Sequence, residues 1–176
     1  MRLIREIDDT DIEREEMNNQ DIAYSLRKAS RAVVSNSLKQ IALVYVSKDK
    51  YHKLPGGGIE NNEDPIQALT RELIEEAGVE VDVLDEVGMI IEYRNEHRLL
   101  QISYCYVGEV TDHPIAPSFT IEEKNQGCIL KWVDIEEAIS FMEEDHPRNY
   151  VGQFIKERDL TFLREVMRMQ KTVLNI

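Results

Sequence analysis

The sequence lacks any long apolar run. None of its 176 residues lies in an apolar stretch that approaches the roughly 20 residues of a membrane-spanning helix. The first residues, MRLIREIDDTDIEREE, carry charges where a secretory signal needs an apolar segment. We therefore expect a protein that does not cross a membrane and that acts in the cytoplasm.

Cysteine and histidine are scarce. The chain has two cysteines, and both Cys105 and Cys128 lie inside apolar runs typical of strands. We interpret them as small thiols of the core that form neither a disulfide nor a metal site. The four histidines show no metal-ligand spacing and are predicted to be surface or structural residues: His52, His97, His113 and His146.

Positive charge is also scarce. Lysine and arginine number 21 against 34 acidic residues, which gives a formal net charge of -13. A surface of this sign repels a nucleic-acid backbone unless a basic stripe overcomes the repulsion, and the sequence shows no such stripe. Nucleic acid is therefore not the expected partner. An anionic small molecule would need its charge cancelled inside the site, and a divalent metal ion suits that purpose.

The pattern of apolar residues and turn formers predicts a mixed α/β domain. Branched and aromatic residues predict strands at 31–35, 40–47, 51–54, 79–93, 99–109 and 128–133. Helices are predicted at 65–77, 134–144 and 150–170, the first with Asp64 as N-cap and Gly78 as C-terminal cap. Residues 8–21 are interpreted as an acidic mobile stretch and 113–127 as a loop. We expect a single domain over 1–176, with an N-terminal extension at 1–30 and C-terminal helices at 134–176.

The predicted helix at 65–77 places three carboxylates on one face. Glu72, Glu75 and Glu76 stand at i, i+3 and i+4, and Arg71 is expected to point to one side of them. Three hard oxygen donors on a rigid helix suit magnesium or manganese, and the glycines at 56–58 let the backbone approach a ligand closely. The alternative, in a chain with other glutamate pairs, is an ordinary solvated face. An adjoining apolar stripe is expected to anchor the helix in the core: Ile66, Leu69, Leu73 and Ala77.

The spacing around this helix resembles a known motif. From Gly57, five residues lead to Glu63, seven more lead to Arg71, and the sequence continues as ELIEEAGV. This resembles the Nudix box at every specified position. The box spans 57–79, and the flanking segments LPGGGIE, LKWV and DIEEA also look like this family. The resemblance implies an α/β/α sandwich with a mixed sheet, in which the box forms a loop, a helix and a loop.

The resemblance also implies a metal-dependent hydrolase that cleaves the phosphoanhydride bond of a nucleoside diphosphate linked to another moiety. Glu72, Glu75 and Glu76 would hold one or more Mg²⁺ ions, with Mn²⁺ as a substitute and the Gly57 carbonyl as a further ligand. The ions would bridge the diphosphate oxygens and orient a water for attack on phosphorus. By the same resemblance, Glu63 and Arg71 would orient the helix through an ion pair.

The general base and the phosphate contacts are expected outside the box. An additional carboxylate is sought at Glu122 or Glu123, before the tryptophan-bearing strand, or at Glu92. We favour Glu123 as a catalytic residue, because catalytic groups tend to lie on loops held by a rigid scaffold. Three cations near the first strands are candidates for binding substrate phosphate, with a surface or structural role as the alternative: Arg27, Arg31 and Lys53.

The sequence does not identify the substrate. A nucleoside triphosphate and a nucleotide sugar are the leading classes, and the residues around Tyr93, Arg94 and Tyr104 are candidates for reading base and sugar. The alternative to an enzyme is a non-catalytic Nudix-fold protein that binds or regulates, although every carboxylate position of the box is filled. A homodimer through the C-terminal helix would be compatible with either function.

Overall fold

A computed structural model describes residues 1–14, 23–111 and 114–174 of the protein. Its centre is a mixed sheet of eight strands, which are β1 (Leu3–Ile7), β2 (Ser25–Ser35), β3 (Ile41–Val46), β4 (Tyr51–Lys53), β5 (Gly56–Gly58), β6 (Val81–Arg94), β7 (Leu99–Val110) and β8 (Cys128–Val133). The α-helices in the described ranges are α1 (Pro65–Ala77), α2 (Ile121–Gln126), α3 (Ile135–Glu144) and α4 (Tyr150–Leu174). None of the described helices is both long and apolar enough to cross a membrane.

The main path of the sheet runs β1-β6-β7-β2-β3-β4, with β5 paired to β2 and β8 paired to β3. The β1–β6 and β2–β7 pairs are parallel, and the other pairs are antiparallel. The short strand β5 consists of three glycines, and Gly57 lies opposite Ser30 of β2. The glycine segment is therefore held by the sheet and is not a free loop.

Alternation of side chains along β2 divides the core into two layers. Ala32 and Val34 face α1 and cluster with Leu69, whereas Val33 faces α4 and clusters with Phe154. Helices thus cover both faces of the sheet, and the α/β/α sandwich with a mixed sheet implied by the resemblance is confirmed. The apolar stripe of α4 lies in the second layer, so the core of the same chain already covers that face of the helix.

Helix α1 begins and ends where the sequence predicts. The Asp64 carboxylate accepts hydrogen bonds from the backbone N–H groups of Ile66 (2.8 Å) and Gln67 (2.9 Å). At the other end, Gly78 adopts the left-handed conformation with φ 64°, and a Cβ there would lie 2.0 Å from the Ile115 carbonyl oxygen. Only glycine fits this cap.

The apolar stripe of α1 differs from the prediction at one residue. Ile66 is 39% exposed, and Ile74 of the same helix is 36% exposed, so both lie on its solvent side. The prediction of Ile66 as an anchor is therefore wrong. The buried apolar residues of the helix are Ala68, Leu69, Leu73 and Ala77.

Segments outside the predicted strands and helices contain regular structure. Residues 1–30, predicted as an N-terminal extension, contribute β1 and the start of β2 to the sheet. The predicted loop at 113–127 contains α2, since Thr120 and Glu123 form a reciprocal capping box at its start. Of the predicted mobile stretch at 8–21, Asp9–Ile12 forms a 3-10 helix, and positions from 15 onward lie outside the described residues. The division of the chain into one domain with terminal additions stays a prediction.

A buried ionic network ties α4 to the sheet. Arg158 is fully buried, donates from Nε to Asp159 Oδ1 (2.7 Å), and places Nη1 3.4 Å from Glu92 Oε2. Asp159 in turn accepts a hydrogen bond from the backbone N–H of Leu54 (2.8 Å), shortly before β5. Because an unpaired interior charge is strongly destabilising, this network fixes α4 against the segment that leads into the glycines.

Replacing Arg158 with methionine leaves the buried carboxylates of Glu92 and Asp159 without their shared cation. We predict that R158M lowers the free energy of unfolding by about 3–5 kcal/mol. The matched control is R164M on the same helix, since Arg164 pairs with Glu143 at the surface and its loss changes stability by less than about 1 kcal/mol. Urea denaturation followed by circular dichroism measures both variants, and equal losses would contradict the prediction.

Candidate active site

A pocket of about 520 Å³ opens beside β5. The acidic side chains that line it are Glu60, Glu72, Glu75, Glu76 and Glu123. The cationic side chains that line it are Arg27, Arg31, Lys53, Arg71 and Arg94. The predicted metal ligands, the favoured base Glu123 and the predicted phosphate contacts all line one pocket, which combines carboxylates, cations and the three glycines of β5, whereas Glu63 does not line it.

Glu76 is the most buried carboxylate of the pocket, at 1% exposure. It accepts hydrogen bonds from the backbone N–H of Gly56 (2.8 Å) and from Lys53 Nζ. Burial, opposed by Lys53 and assisted by a hydrogen bond with Glu123, raises the pKa of Glu76 to about 7. Glu76 and Glu123 thus lie close together, and both contact the ammonium group of Lys53.

Glu123 reaches the pocket from the first turn of α2. Its carboxylate accepts hydrogen bonds from the backbone N–H of Thr120 (2.9 Å) and lies 3.8 Å from Lys53 Nζ. Partial burial opposes ionisation, but the hydrogen bonds with Glu76 and Thr120 outweigh it and lower the pKa of Glu123. Glu122, the neighbouring candidate, is exposed and interacts with Gln126 of its own helix at 3.5 Å. Of the two, Glu123 is the carboxylate that the fold brings to the box.

Glu72 and Glu75 lie nearer the mouth of the pocket. Glu72 accepts a hydrogen bond from Arg71 Nη1 (2.8 Å), and a Cβ on Gly57 would lie 2.2 Å from Glu72 Oε1. The absence of a side chain at Gly57 is therefore what leaves room for the Glu72 carboxylate. Burial and the proximity of Glu72 raise the pKa of Glu75, which shows that these carboxylates crowd one another.

Glu63 and Arg71 form a bidentate ion pair. Arg71 donates from Nε and Nη2 to the two carboxylate oxygens of Glu63 (2.8 and 3.0 Å), and from Nη2 to the Gly58 carbonyl (2.9 Å). The hydrogen bonds from Arg71 lower the pKa of Glu63 to about 2. The expectation that Arg71 points to one side of the acids is wrong, because its planar guanidinium joins Glu63, Gly58 and Glu72 at once.

Arg31 is buried behind the glycines at 4% exposure. Its Nη1 donates to the carbonyl oxygens of Gly56 (2.7 Å) and Leu54 (3.4 Å). Burial, together with Arg158, lowers the pKa of Arg31 to about 10. Arg31 thus supports the glycine segment from behind, whereas Lys53, the other predicted phosphate contact, reaches the carboxylates themselves.

Comparison with known proteins identifies the family. The model of the NUDIX domain family matches residues 25–153 of the sequence. The chain belongs to the Nudix family. A similar curated protein is an RNA pyrophosphohydrolase from Bartonella clarridgeiae, 30% identical over 139 residues that cover 70% of this chain and 79% of that protein. Another is diphosphoinositol polyphosphate phosphohydrolase 2 from Rattus norvegicus, 29% identical over 124 residues; the match covers 69% of this chain and 65% of that relative.

Solved structures agree on the Nudix fold. A NUDIX hydrolase from Nitrosomonas europaea superposes with a TM-score of 0.55 at 18% identity, over 76% of this chain and 88% of that one. An ADP-ribose pyrophosphatase from Streptococcus suis superposes with a TM-score of 0.52 at 17% identity, over 80% and 91%. At these identities the superpositions support the fold alone. Together with the family match and the curated relatives, they show that the protein is a Nudix hydrolase, a family that acts on nucleoside diphosphate derivatives.

The carboxylates of the Nudix box fit a hard divalent cation by their chemistry. Among the described residues, no three acidic, histidine or cysteine side chains converge into a preassembled cation site, because Lys53 contacts Glu76 and Arg71 contacts Glu72. Glu76 and Glu123 both face the single ammonium group of Lys53, so two carboxylates share one positive charge there. A divalent cation would supply the positive charge that is lacking.

Other residues singled out in the sequence lie away from the pocket. Glu92 is fully buried and accepts hydrogen bonds from Arg94, Gln101 and Ser103, so it serves the network under α4 and is not free to act as a base. Tyr93 donates to Glu6 (3.2 Å) at the surface. Neither Tyr93 nor Tyr104 lines the pocket, whereas Arg94 does.

The histidines and cysteines within the described ranges do not line the pocket. His52 is buried and its Nδ1 lies 3.0 Å from Asp145 Oδ1, which makes it a structural residue. Cys105 is buried, Cys128 is half-buried, and both are free thiols. His113 lies outside the described residues.

Replacing Gly57 with alanine should displace the Glu72 carboxylate, because the new Cβ would overlap Glu72 Oε1. We predict that G57A keeps its thermal stability, since the end of a flexible side chain can move, and loses activity by about a hundredfold. The matched control is G58A, whose Cβ would approach only Arg27 Nη2, at 3.2 Å, and which should keep most of its activity. Hydrolysis rates and melting curves measure both variants. Equal rates for G57A and G58A would refute the conclusion that the missing side chain at Gly57 makes room for the Glu72 carboxylate.

Proposed function

We propose that the protein is a Mg²⁺-dependent hydrolase, with Mn²⁺ as a substitute, that cleaves the phosphoanhydride bond of a nucleoside triphosphate or a nucleotide sugar. The observation that supports this proposal is the set of four glutamates, Glu72, Glu75, Glu76 and Glu123, that lines one pocket with the glycines of β5. Such a donor set suits a hard cation and, through it, a diphosphate.

The residues of the box would hold the metal. Glu72, Glu75 and Glu76 supply the carboxylates, and the Gly57 carbonyl supplies a further oxygen. When bound, the metal supplies the positive charge that neutralises diphosphate oxygens and makes a water more acidic. Glu63 and Arg71 act as positioning residues, because their ion pair joins the loop before α1 to the helix itself.

Glu123 is the proposed general base. Its lowered pKa keeps it ionised at neutral pH, and its capping interaction with Thr120 fixes its direction at the start of α2. Lys53 lies between Glu76 and Glu123 and is the proposed contact for a substrate phosphate. Arg31, whose Nη1 is satisfied by backbone carbonyls, supports the same region by fixing Gly56.

The named activities of relatives agree with this reaction class but differ in substrate. They include an RNA pyrophosphohydrolase, a diphosphoinositol polyphosphate phosphohydrolase, a UDP-X diphosphatase and an ADP-ribose pyrophosphatase. The reaction that we propose for this protein is likewise the cleavage of a phosphoanhydride bond. A small-molecule nucleotide as substrate, a cytoplasmic location and a homodimer are part of the same proposal.

Glu75→Gln and Glu76→Gln remove one metal-binding charge each with little change of shape. We predict that either variant folds normally and loses metal-dependent turnover by more than about a hundredfold, together with affinity for Mn²⁺. Glu80→Gln is the matched control, since Glu80 is exposed just beyond the box, and it should behave as wild type. Turnover assays and calorimetric Mn²⁺ titration measure the three variants. Wild-type rates in E75Q or E76Q would remove those residues from the metal site.

The direct test of the function is a product-release assay on the purified protein. Nucleoside triphosphates, nucleotide sugars, dinucleotides and coenzyme A are each supplied with Mg²⁺, with Mn²⁺ or with neither ion. We expect cleavage of a nucleoside triphosphate or a nucleotide sugar that requires a divalent ion. Cleavage that is equally fast without metal would overturn the proposed mechanism, and inertness of both substrate classes would overturn the proposed substrate.

A further inference from the structure

Strand β4 lies at one end of the main path of the sheet, and carboxylates occupy its outer edge. The backbone N–H of His52 donates to Asp145 Oδ2 (2.6 Å), and the backbone N–H of Leu54 donates to Asp159 Oδ2 (2.8 Å). Donors two residues apart lie on the same side of an extended chain. Two carboxylates from the C-terminal part of the chain thus take the place of a neighbouring strand along this edge.

Lys53 lies between these two anchored residues. Its side chain is 14% exposed, and its ammonium group contacts Glu76 and lies 3.8 Å from Glu123 Oε1. A lysine ammonium is a point charge on a flexible four-carbon stem, so the place of this charge depends on where the backbone of β4 is held. The anchors on either side of Lys53 therefore set the position of the charge between a proposed metal ligand and the proposed base.

The side chain of His52 makes a second, directional contact with Asp145. Its Nδ1 lies 3.0 Å from Oδ1 and 3.1 Å from Oδ2 of that carboxylate, and its Nε2 lies 3.1 Å from Lys131 Nζ. Because an ammonium group has no lone pair and can only donate, Nε2 is the acceptor and Nδ1 carries the hydrogen that is donated to Asp145. The contact with Lys131 thus selects the tautomer that links His52 to Asp145.

Both partners of the His52 ring are themselves held in place. Asp145 directly follows α3, and its backbone carbonyl accepts a hydrogen bond from Lys156 Nζ of α4 (2.7 Å). Lys131 Nζ lies 5.0 Å from the centroid of the Phe141 ring, within the range of a cation–π interaction, and the same ring stacks on the His52 imidazole at 5.2 Å. The imidazole therefore joins β4 to the connection between α3 and α4.

We propose that Asp145 and His52 are positioning residues for the reaction and that they act through Lys53. This inference rests on the proposed function and adds to it two residues that do not line the pocket. Fixed in this way, the ammonium group of Lys53 keeps Glu76 and Glu123 in a constant arrangement. The competing explanation is that Asp145 only blocks an edge strand against pairing with other chains. That explanation requires no effect through Lys53.

The first test measures the position of Lys53 without catalysis. A water-soluble acylating ester labels the lysines of the folded protein, and mass spectrometry gives the rate at each one. We expect the labelling rate of Lys53 to rise by about threefold or more in D145N and in H52Q, because local opening of β4 exposes the ammonium group. The exposed Lys28 is the internal reference and should not change. An unchanged rate at Lys53 in both variants would overturn the proposal.

H52N and H52Q form a matched pair that separates the two ring nitrogens. The amide nitrogen of asparagine lies at about the place of Nδ1 and keeps a donor toward Asp145, whereas the amide oxygen of glutamine extends toward Lys131 and keeps an acceptor there. We expect H52N to recover most of the Lys53 protection and of the activity that H52Q loses. Melting curves of both variants control for stability. Greater recovery in H52Q than in H52N would overturn the role of Asp145.

The second test is a double-mutant cycle with Mg²⁺ and either proposed substrate class. We expect D145N to lower kcat/KM by roughly tenfold in the wild-type background and by less than about twofold when K53M is already present. Equal falls in the two backgrounds would overturn the proposal, because a general structural role does not depend on Lys53. Absence of any cleavage by the folded wild type would refute the proposed function instead. The labelling of Lys53 decides the inference by itself where the wild type or K53M shows no turnover.

Discussion

Repulsion among carboxylates is the constraint on which the rest of this site depends. Glu72, Glu75 and Glu76 lie on about one turn of α1, and Glu123 approaches from α2, so negative charges face one another in a partly desolvated pocket. The protein reduces this repulsion with Lys53 at Glu76 and Arg71 at Glu72. Each contact holds a carboxylate in place and compensates its charge only in part. A divalent cation would compensate several of these charges at once, which a single ammonium group cannot do.

Carboxylates that repel one another keep a fixed geometry only if their support is rigid. The glycines of β5 provide one wall, and they are held by pairing with β2, by Arg31 on the Gly56 carbonyl, and by Glu76 on the Gly56 N–H. The segment before them is tied to α4, since Asp159 accepts from the Leu54 N–H. Helix α1 is fixed by caps at both ends and by its buried stripe. The Glu63–Arg71 pair then joins the loop to the helix. Most of these supports use backbone groups, so their geometry changes little when single side chains on the surface change.

The sequence predicts the parts of this structure that depend on local spacing. The bounds of α1, its Asp64 and Gly78 caps, strand β8 and the box carboxylates all follow from residue types a few positions apart, and the structure has them. The sequence also contains the signal for α2, because Thr120 and Glu123 have capping-box spacing, but the surrounding prolines favour a loop. Contacts between distant segments could not be predicted in this way. Burial of Glu92 depends on Arg158, which lies 66 positions along the chain, and β1 is recognisable as a strand only through its pairing with β6.

The same distance argument explains why the cluster of Arg27, Arg94 and Arg158 has no signature in the sequence. Arg27, Arg94 and Arg158 belong to β2, β6 and α4, and each is an ordinary arginine in an acidic chain. The fold brings them together on the α4 face of the sheet, while the box brings the carboxylates together on the α1 face. The net charge of the whole chain therefore does not predict how its pocket interacts with an anion. The long-range field repels a phosphate and is screened beyond about 8–10 Å at physiological salt, whereas the individual arginine and lysine side chains that line the pocket act where screening is weak. A phosphorylated ligand that reaches the pocket is governed by the second field and not by the first.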